Sequence, residues 1–338
     1  MNQLPPSLER HPDLDTWVRI DEAETVTVFS GKSEHGQGLR SMLARIAAEE
    51  LDVALERVRV VTADTAHGLD EGLTAGSTST QESGAALRQA AAEARVHLLE
   101  LGAAHLGADL AELRVDDGTI SANGSATTYW HLLGGRMFGV RASGRVRPKP
   151  PAEHRIVGNA GRRVDLTGIV TGTTRYLQDL SLPGMLHGRV VRPPSRSACL
   201  EHVDEARVRS LPGVVAVVRD GSFLGVVGER EEQALAAAAA LAFSARWSEQ
   251  PALAPLASVS DWLRSQPGRA FRVVEGVGID GDVPPVTEPT GAARTVRATY
   301  TRPFTLHGSI GPSAAVAHWH DGGLEVWSST QGVFFLRR

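Results

Sequence analysis

The alternating run Thr25-Val26-Thr27-Val28-Phe29 leads into Gly31-Lys32-Ser33-Glu34-His35-Gly36-Gln37-Gly38, and a helix-periodic stretch starts at Leu39. A strand, a glycine-rich turn and a helix in that order leave few choices of local fold. Glycine reaches φ > 0 without a Cβ clash and lets a backbone or ligand come close. The following helix offers unpaired N–H groups and the positive end of its dipole. Such a turn suits an anion such as phosphate. It also suits a plain connection between two core elements, and short glycine motifs do not separate the two readings.

Around this turn the chain reads as follows. Residues 1–14 are polar and Pro-rich and predict an extended arm. Trp17–Ile20 and Thr25–Phe29 predict two strands. Leu39, Met42, Leu43, Ile46 and Ala47 predict a helix over 39–51 that buries one stripe. A strand at 57–61 precedes the polar segment Thr62–Ser83, which holds Asp64-Thr65 and Thr74-Ala75-Gly76-Ser77-Thr78-Ser79-Thr80. Those small residues fit a solvated loop with a helix cap or a second ligand-binding wall. A long helix follows over about 80–102. Residues 145–151 have no hydrophobic period and read as a linker. Strands and helices alternate over 155–250, which predicts a compact block. Within it Gly213–Val218 is an unbroken apolar run, which predicts a strand buried on both faces. Residues 251–292 read as a connecting loop region with a helix at 257–265. Arg294–Tyr300, Ala314–His318 and Leu324–Trp327 predict strands before Ser328-Ser329-Thr330-Gln331-Gly332. A helix should begin there, so the chain reads as the first part of a longer protein.

Composition closes several routes. The net charge of −4, from 35 basic and 39 acidic residues, with no basic block, gives no sign of nucleic-acid binding. The single cysteine, Cys199, predicts no intrachain disulfide and no iron–sulfur cluster held by this chain; it reads as a small buried residue. No apolar run is long enough for a transmembrane span. The first 22 residues lack an apolar signal core, which predicts a cytoplasmic location. Neither Gly-x-Ser-x-Gly nor His-Glu-x-x-His occurs. His318 and His320 share a strand face without a third ligand, so no metal-ligand set is assigned.

Glu34-His35-Gly36-Gln37-Gly38, Ala47-Ala48-Glu49-Glu50-Leu51, Asp64-Thr65 and Thr74-Ala75-Gly76-Ser77 resemble the cofactor-binding stretch of the molybdenum hydroxylases, the xanthine dehydrogenase and aldehyde oxidase family. Gly172, Tyr176, Asp179 and Met185-Leu186-His187-Gly188 resemble its a/b hammerhead domain. His307–Pro312 and Ser329-Thr330-Gln331 resemble the opening of its main molybdopterin-binding domain. The Gly-Gln-Gly stretch precedes the hammerhead here. That permuted order resembles the isoquinoline 1-oxidoreductase and nicotinate dehydrogenase branch.

The resemblance implies an α+β fold in which two molybdopterin-binding segments, 1–148 and 293–338, flank a hammerhead at 155–250. It implies a molybdenum–molybdopterin cofactor, in its cytosine dinucleotide form. The cofactor would be held by Gly36, Gln37, Gly38, Thr74, Ala75, Gly76, Ser77 and Gln331, the last through hydrogen bonding to an oxygen of the metal centre. The implied reaction hydroxylates an N-heteroaromatic ring or an aldehyde with water as oxygen source. The partners implied are a small [2Fe–2S] subunit and, as electron acceptor, a cytochrome c. The family's general-base glutamate in its Gly-x-Gly-Glu setting is not in this sequence, so no catalytic residue is assigned and the 338 residues are expected to be inactive alone. A non-catalytic binding or scaffold protein is the alternative; it would hold no molybdenum.

Overall fold

A computed structural model describes residues 4–338 apart from 250–257, 270, 286, 288, 289 and 310. The chain divides into two compact units, Met1–Leu180 with Ser313–Arg338, and Ser181–Pro312.

The first unit begins with α1 (Pro6–Arg10), not an extended arm. A proline at the first helical position is preset for helix, and Leu8 and Leu14 are fully buried in the core. Next come β1 (Val18–Ile20) and β2 (Val26–Ser30), paired antiparallel. α2 (Leu39–Leu51) then crosses to β3 (Val58–Thr62), which lies parallel to β2. The β2–α2–β3 segment is therefore a βαβ unit. Leu39, Leu43, Ala47, Ala48 and Leu51 bury the expected stripe of α2. A π-helical turn, Thr80–Gly84, opens the long α3 (Ala85–Leu106). Its alanines Ala86, Ala90, Ala91 and Ala94 are buried, which permits close packing on α2. The meander β4 (Arg114–Asp116), β5 (Thr119–Ala122), β6 (Ser125–Thr128) and the short α4 (Tyr129–Leu133) close this core.

The expected linker at 145–151 is fastened down. Lys149 Nζ bonds the Asp52 carboxylate, its backbone N donates to Glu50 Oε2 at 3.0 Å, and its carbonyl accepts from Arg88. The next segment is held as well: the Glu49 carboxylate accepts from the backbone N of Arg155, Ile156 and Val157. Residues 155–180, including α5 (Leu166–Val170), therefore pack with the first unit, and the second begins at Ser181.

The second unit holds β7 (His187–Val191), β8 (Cys199–His202), α6 (Glu205–Arg209), β9 (Val214–Asp220), β10 (Phe223–Gly228), α7 (Glu231–Ser244) and β11 (Arg246–Ser248). Its three-stranded sheet runs β7-β10-β9, and β11 pairs with β8. Leu224, Val226, Ala237 and Leu241 form the centre of its core. β9 is not buried on both faces: Val215 and Val218 are exposed while Val217 points inward. Cys199 is exposed, not buried. α8 (Val259–Ser265) and the hairpin β12 (Phe271–Val274) and β13 (Val277–Asp280) follow. The expected strand at Arg294–Tyr300 has no regular structure: among the described residues its alternation meets no neighbouring strand. Of the motif His307–Pro312, Ile310 lies outside the described residues. The chain returns to the first unit with the hairpin β14 (Ala315–His320) and β15 (Gly323–Ser328), then α9 (Val333–Arg337).

Candidate cofactor site

Because β2 and β3 are parallel and joined through α2, the loops that leave them emerge at the same end of the sheet. In open α/β sheets, ligands settle outside the carboxyl ends of parallel strands. The turn 31–38 leaves β2 at that end, and the segment 63–79 leaves β3.

The two loops are locked together by buried polar groups. Gly31 is where they touch: a Cβ there would lie 2.0 Å from the Leu69 carbonyl oxygen and 2.8 Å from Glu71 N. The Glu71 carboxylate is buried, and its Oε2 accepts from Ser30 Oγ at 2.6 Å, Ser83 Oγ at 2.9 Å and Gly31 N at 3.0 Å. Lys32 is only 2% exposed. Its ammonium donates to Glu71 O at 2.9 Å, Leu73 O at 3.1 Å and Glu82 Oε2 at 2.8 Å, using all three of its protons. The ammonium beside Glu82 holds that carboxyl below the usual range.

The expected anion site at the start of α2 is occupied by the chain itself. Glu34 Oε1 accepts from Gly36 N at 2.8 Å and Gly38 N at 3.0 Å, and Oε2 accepts from Arg40 N at 3.0 Å. Burial pushes the Glu34 carboxyl up, but the N–H donors of Arg40, Gly38 and Gly36 and the Arg163 charge outweigh it and hold the pKa low. Those three N–H groups are not free for a phosphate. Gly36 and Gly38 have φ of +98° and +85°, so glycine is required there by the backbone, not by a crowded neighbour. Gln37 braces the same turn: its Oε1 accepts from His35 N at 2.5 Å and its Nε2 donates to Ser33 O at 2.9 Å. Arg163 closes the outside, donating to Gly36 O at 2.7 Å while paired with Asp165.

Thr74 joins three distant stretches. Its Oγ1 accepts from Ser33 N at 2.7 Å, and its backbone N donates to the Gln331 carbonyl at 2.7 Å. The turn, the 74–77 loop and the segment after β15 therefore meet at one buried residue. Ala75, Gly76 and Ser77 project beyond it into solvent, with Gly76 and Ser77 at positive φ, and Gln331 is exposed beside Gly332. None of these residues lines the cavity of about 410 Å³ formed by Ile46, Glu49, Thr80, Arg88 and their neighbours.

Sequence patterns do not single out Lys32, Ser33, Glu71 or Ser83. A charged residue leaving an apolar strand, as Lys32 does, is the one available sign. Among the described residues no group of three or more His, Cys, Asp or Glu could hold a metal ion; the His318 and His320 rings lie 4.6 Å apart, and the His320 nitrogens face Asp321 and Glu325. No helix of the described residues is long and apolar enough to cross a membrane. The donor set present fits a polar, oxygen-rich cofactor: the buried Ser33 Oγ has no protein partner, and hydroxyls and an exposed amide surround the junction.

Known proteins supply the family. Residues 3–154 match the family described as molybdopterin cofactor-binding domain. One of the subunits of nicotinate dehydrogenase from Pseudomonas putida is 37% identical over 335 residues, spanning 96% of this chain and 28% of that protein. A membrane-bound aldehyde dehydrogenase [pyrroloquinoline-quinone] of Gluconacetobacter polyoxogenes is 28% identical, spanning 93% of this chain and 42% of that one. The beta subunit of isoquinoline 1-oxidoreductase from Brevundimonas diminuta is 26% identical, spanning 94% and 46%. The chain thus covers less than half the length of each of these relatives. The matched domain lies over the β2–α2–β3 unit and its loops: residues 3–154 belong to the molybdopterin cofactor-binding domain family, and nearly the whole chain is similar to subunits named for nicotinate dehydrogenase and isoquinoline 1-oxidoreductase.

Proposed function

We infer that this chain forms one wall of the molybdenum cofactor site in an oxidoreductase that hydroxylates an N-heteroaromatic ring or an aldehyde with water as the oxygen source. The observation that carries this reading is the double hydrogen bond at Thr74, which brings the Ser33 turn and the Gln331 strand end to one point. The relatives named for nicotinate and isoquinoline support the ring substrates.

In this reading Gly36, Gln37 and Gly38 form a preset wall whose inner N–H groups are already satisfied by Glu34. Ala75, Gly76 and Ser77 present backbone and hydroxyl donors beyond Thr74, whose own N–H is spent on Gln331, and Gln331 presents a neutral amide that donates without adding charge. The bound cofactor, in its cytosine dinucleotide form, supplies the two-electron redox chemistry. The chain's own residues hold the walls in register: Lys32 and Glu71 fix the 69–74 segment, and Thr74 transmits that fix to Gln331. The first and last segments, 1–148 and 293–338, belong to molybdopterin-binding domains, and the hammerhead read over 155–250 is represented by its part from Ser181 on, since 155–180 pack with the first unit. In this reading electrons leave through a small [2Fe–2S] subunit to an acceptor such as a cytochrome c; within these 338 residues the single cysteine is too few ligands for a cluster. The site works in the cytoplasm.

The test is to purify the complete protein with its associated subunits and turn it over with nicotinate in ¹⁸O-labelled water. Molybdenum near one per chain, [2Fe–2S] absorbance and label in the product are expected. A complex that holds no molybdenum overturns the reading and leaves the non-catalytic binding protein in its place.

A further inference from the structure

Ser33 is the one residue of the junction whose backbone is used on both sides and whose side chain is not used at all. Its N–H donates to Thr74 Oγ1 at 2.7 Å, and its carbonyl accepts from Gln37 Nε2 at 2.9 Å. It therefore sits between the two loops assigned to the cofactor. Its residue is 6% exposed, and its Oγ is buried with no protein partner. A hydroxyl in that state costs the fold its full desolvation penalty and returns nothing. Buried polar atoms without a partner are rare enough in native proteins to call for an explanation.

Among the described residues, Glu71 Oε1, Thr127 Oγ1, Tyr129 Oη and Ser195 Oγ share that status. Glu71 already spends its other oxygen on three donors. Thr127 and Tyr129 lie on β6 and α4, and Ser195 lies in the second unit. Ser33 alone is held by backbone bonds to both cofactor loops, so its hydroxyl position is fixed by the same contacts that fix the site.

We propose that the Ser33 hydroxyl is a direct cofactor contact, hydrogen-bonding an oxygen or nitrogen of the pterin dinucleotide where the 33–38 turn meets Thr74. This rests on the cofactor reading above and adds a residue to it. A serine hydroxyl can donate or accept, so it serves either a phosphate oxygen or a ring nitrogen.

The contact predicts effects of opposite sign in the free and loaded protein. Ser33→Ala in the complete protein removes an unpartnered buried hydroxyl. Its cofactor-free form should melt at or above the wild-type temperature. Its loaded form should lose cofactor about tenfold more readily during gel filtration, read as molybdenum per chain, as expected for one hydrogen bond of about 1.4 kcal/mol. Ser33→Cys, which keeps the volume with a weaker donor, should show the same loss if the alanine variant fails to fold. Thr127→Val removes an equally unpartnered hydroxyl outside the junction and should leave molybdenum unchanged. Wild-type molybdenum retention in both Ser33 variants overturns the contact while the cofactor reading stands. So does a fall in the melting point of the cofactor-free form that parallels the molybdenum loss, or an equal loss in Thr127→Val. Wild-type protein without molybdenum overturns the cofactor reading and this contact together.

Discussion

The two units solve the same packing problem with different side chains. The second unit's buried side chains are Val, Leu and Ala. The buried polar and charged residues among the described ones lie in the first unit, including Lys32, Glu49, Glu50, Glu71, Glu93 and Ser83, while the second unit adds the buried hydroxyl oxygen of the half-buried Ser195. An apolar core stabilises without specifying where a loop must lie. A buried carboxylate or ammonium that collects three backbone or side-chain partners places a loop to within a hydrogen bond, at the cost of desolvating the charge. The first unit bears that cost where loops, not strands, have to be held. That is the expected trade for a cofactor wall built on the ends of a small sheet.

This contrast can be broken by substitution, with hydrogen exchange read separately on peptides from each unit. The largest effect is expected from Lys32→Met. It strands two buried carbonyls and removes Glu82's partner, and should destabilise the first unit by about 4 kcal/mol with no change in the second. Matched loss of protection in both units would contradict the division. Leu224→Ala, at the fully buried centre of the second core, should cost about 3 kcal/mol there and leave peptides around Thr74 untouched. Gly31→Ala places a Cβ against the Leu69 carbonyl; the backbone shift should cost about 2 kcal/mol and raise exchange at 69–74.

Acid should separate the units as well. Glu34 and Glu49 are held below the ordinary glutamate value of 4.5 although burial opposes this, because three backbone N–H groups point at each. A carboxyl with a depressed folded pKa contributes stability that is fully present above its unfolded value. That contribution is lost as the pH falls through the folded one. The first unit should lose protection below about pH 4 before the second, where the depressed carboxyl of Glu232 lies on the surface. Simultaneous acid loss in both would remove the electrostatic part of the contrast. The smallest effect is expected at the exposed face of β9, where Val215→Thr should change stability by no more than about 0.5 kcal/mol.

What the sequence made readable was local. The strand 25–29, the turn and the helix 39–51 follow from alternation, glycine and a 3.6-residue stripe, and the structure has them at those positions. The bracing of the turn by Glu34 is local as well, since its partners lie two, four and six residues away. Glu49 carries the same number of N–H bonds, but its partners lie 106 to 108 residues on, and no pattern in the sequence couples them. That is why 145–151 reads as a linker and 155–180 as part of the next block. β9 departs from expectation for a different reason: an apolar run predicts two covered faces, yet Val215 and Val218 are left exposed by the described residues. Arg294–Tyr300 alternates like a strand, but a strand needs a partner. The family resemblance alone groups the Gly36–Gly38 turn, the Thr74–Ser77 loop and Gln331; the hydrogen bonds at Thr74 run to Gln331 and to Ser33, three residues before that turn.

The central claim is that these three stretches form one molybdenum cofactor site. A crystal structure of the complete, cofactor-loaded protein, with anomalous data collected at the molybdenum edge, tests it most directly. The account predicts a single molybdenum peak beside Gln331, with the pterin running between the Gly36–Gly38 turn and the Thr74–Ser77 loop. A peak elsewhere, or Gln37 and Gln331 on opposite faces of the domain, would contradict it.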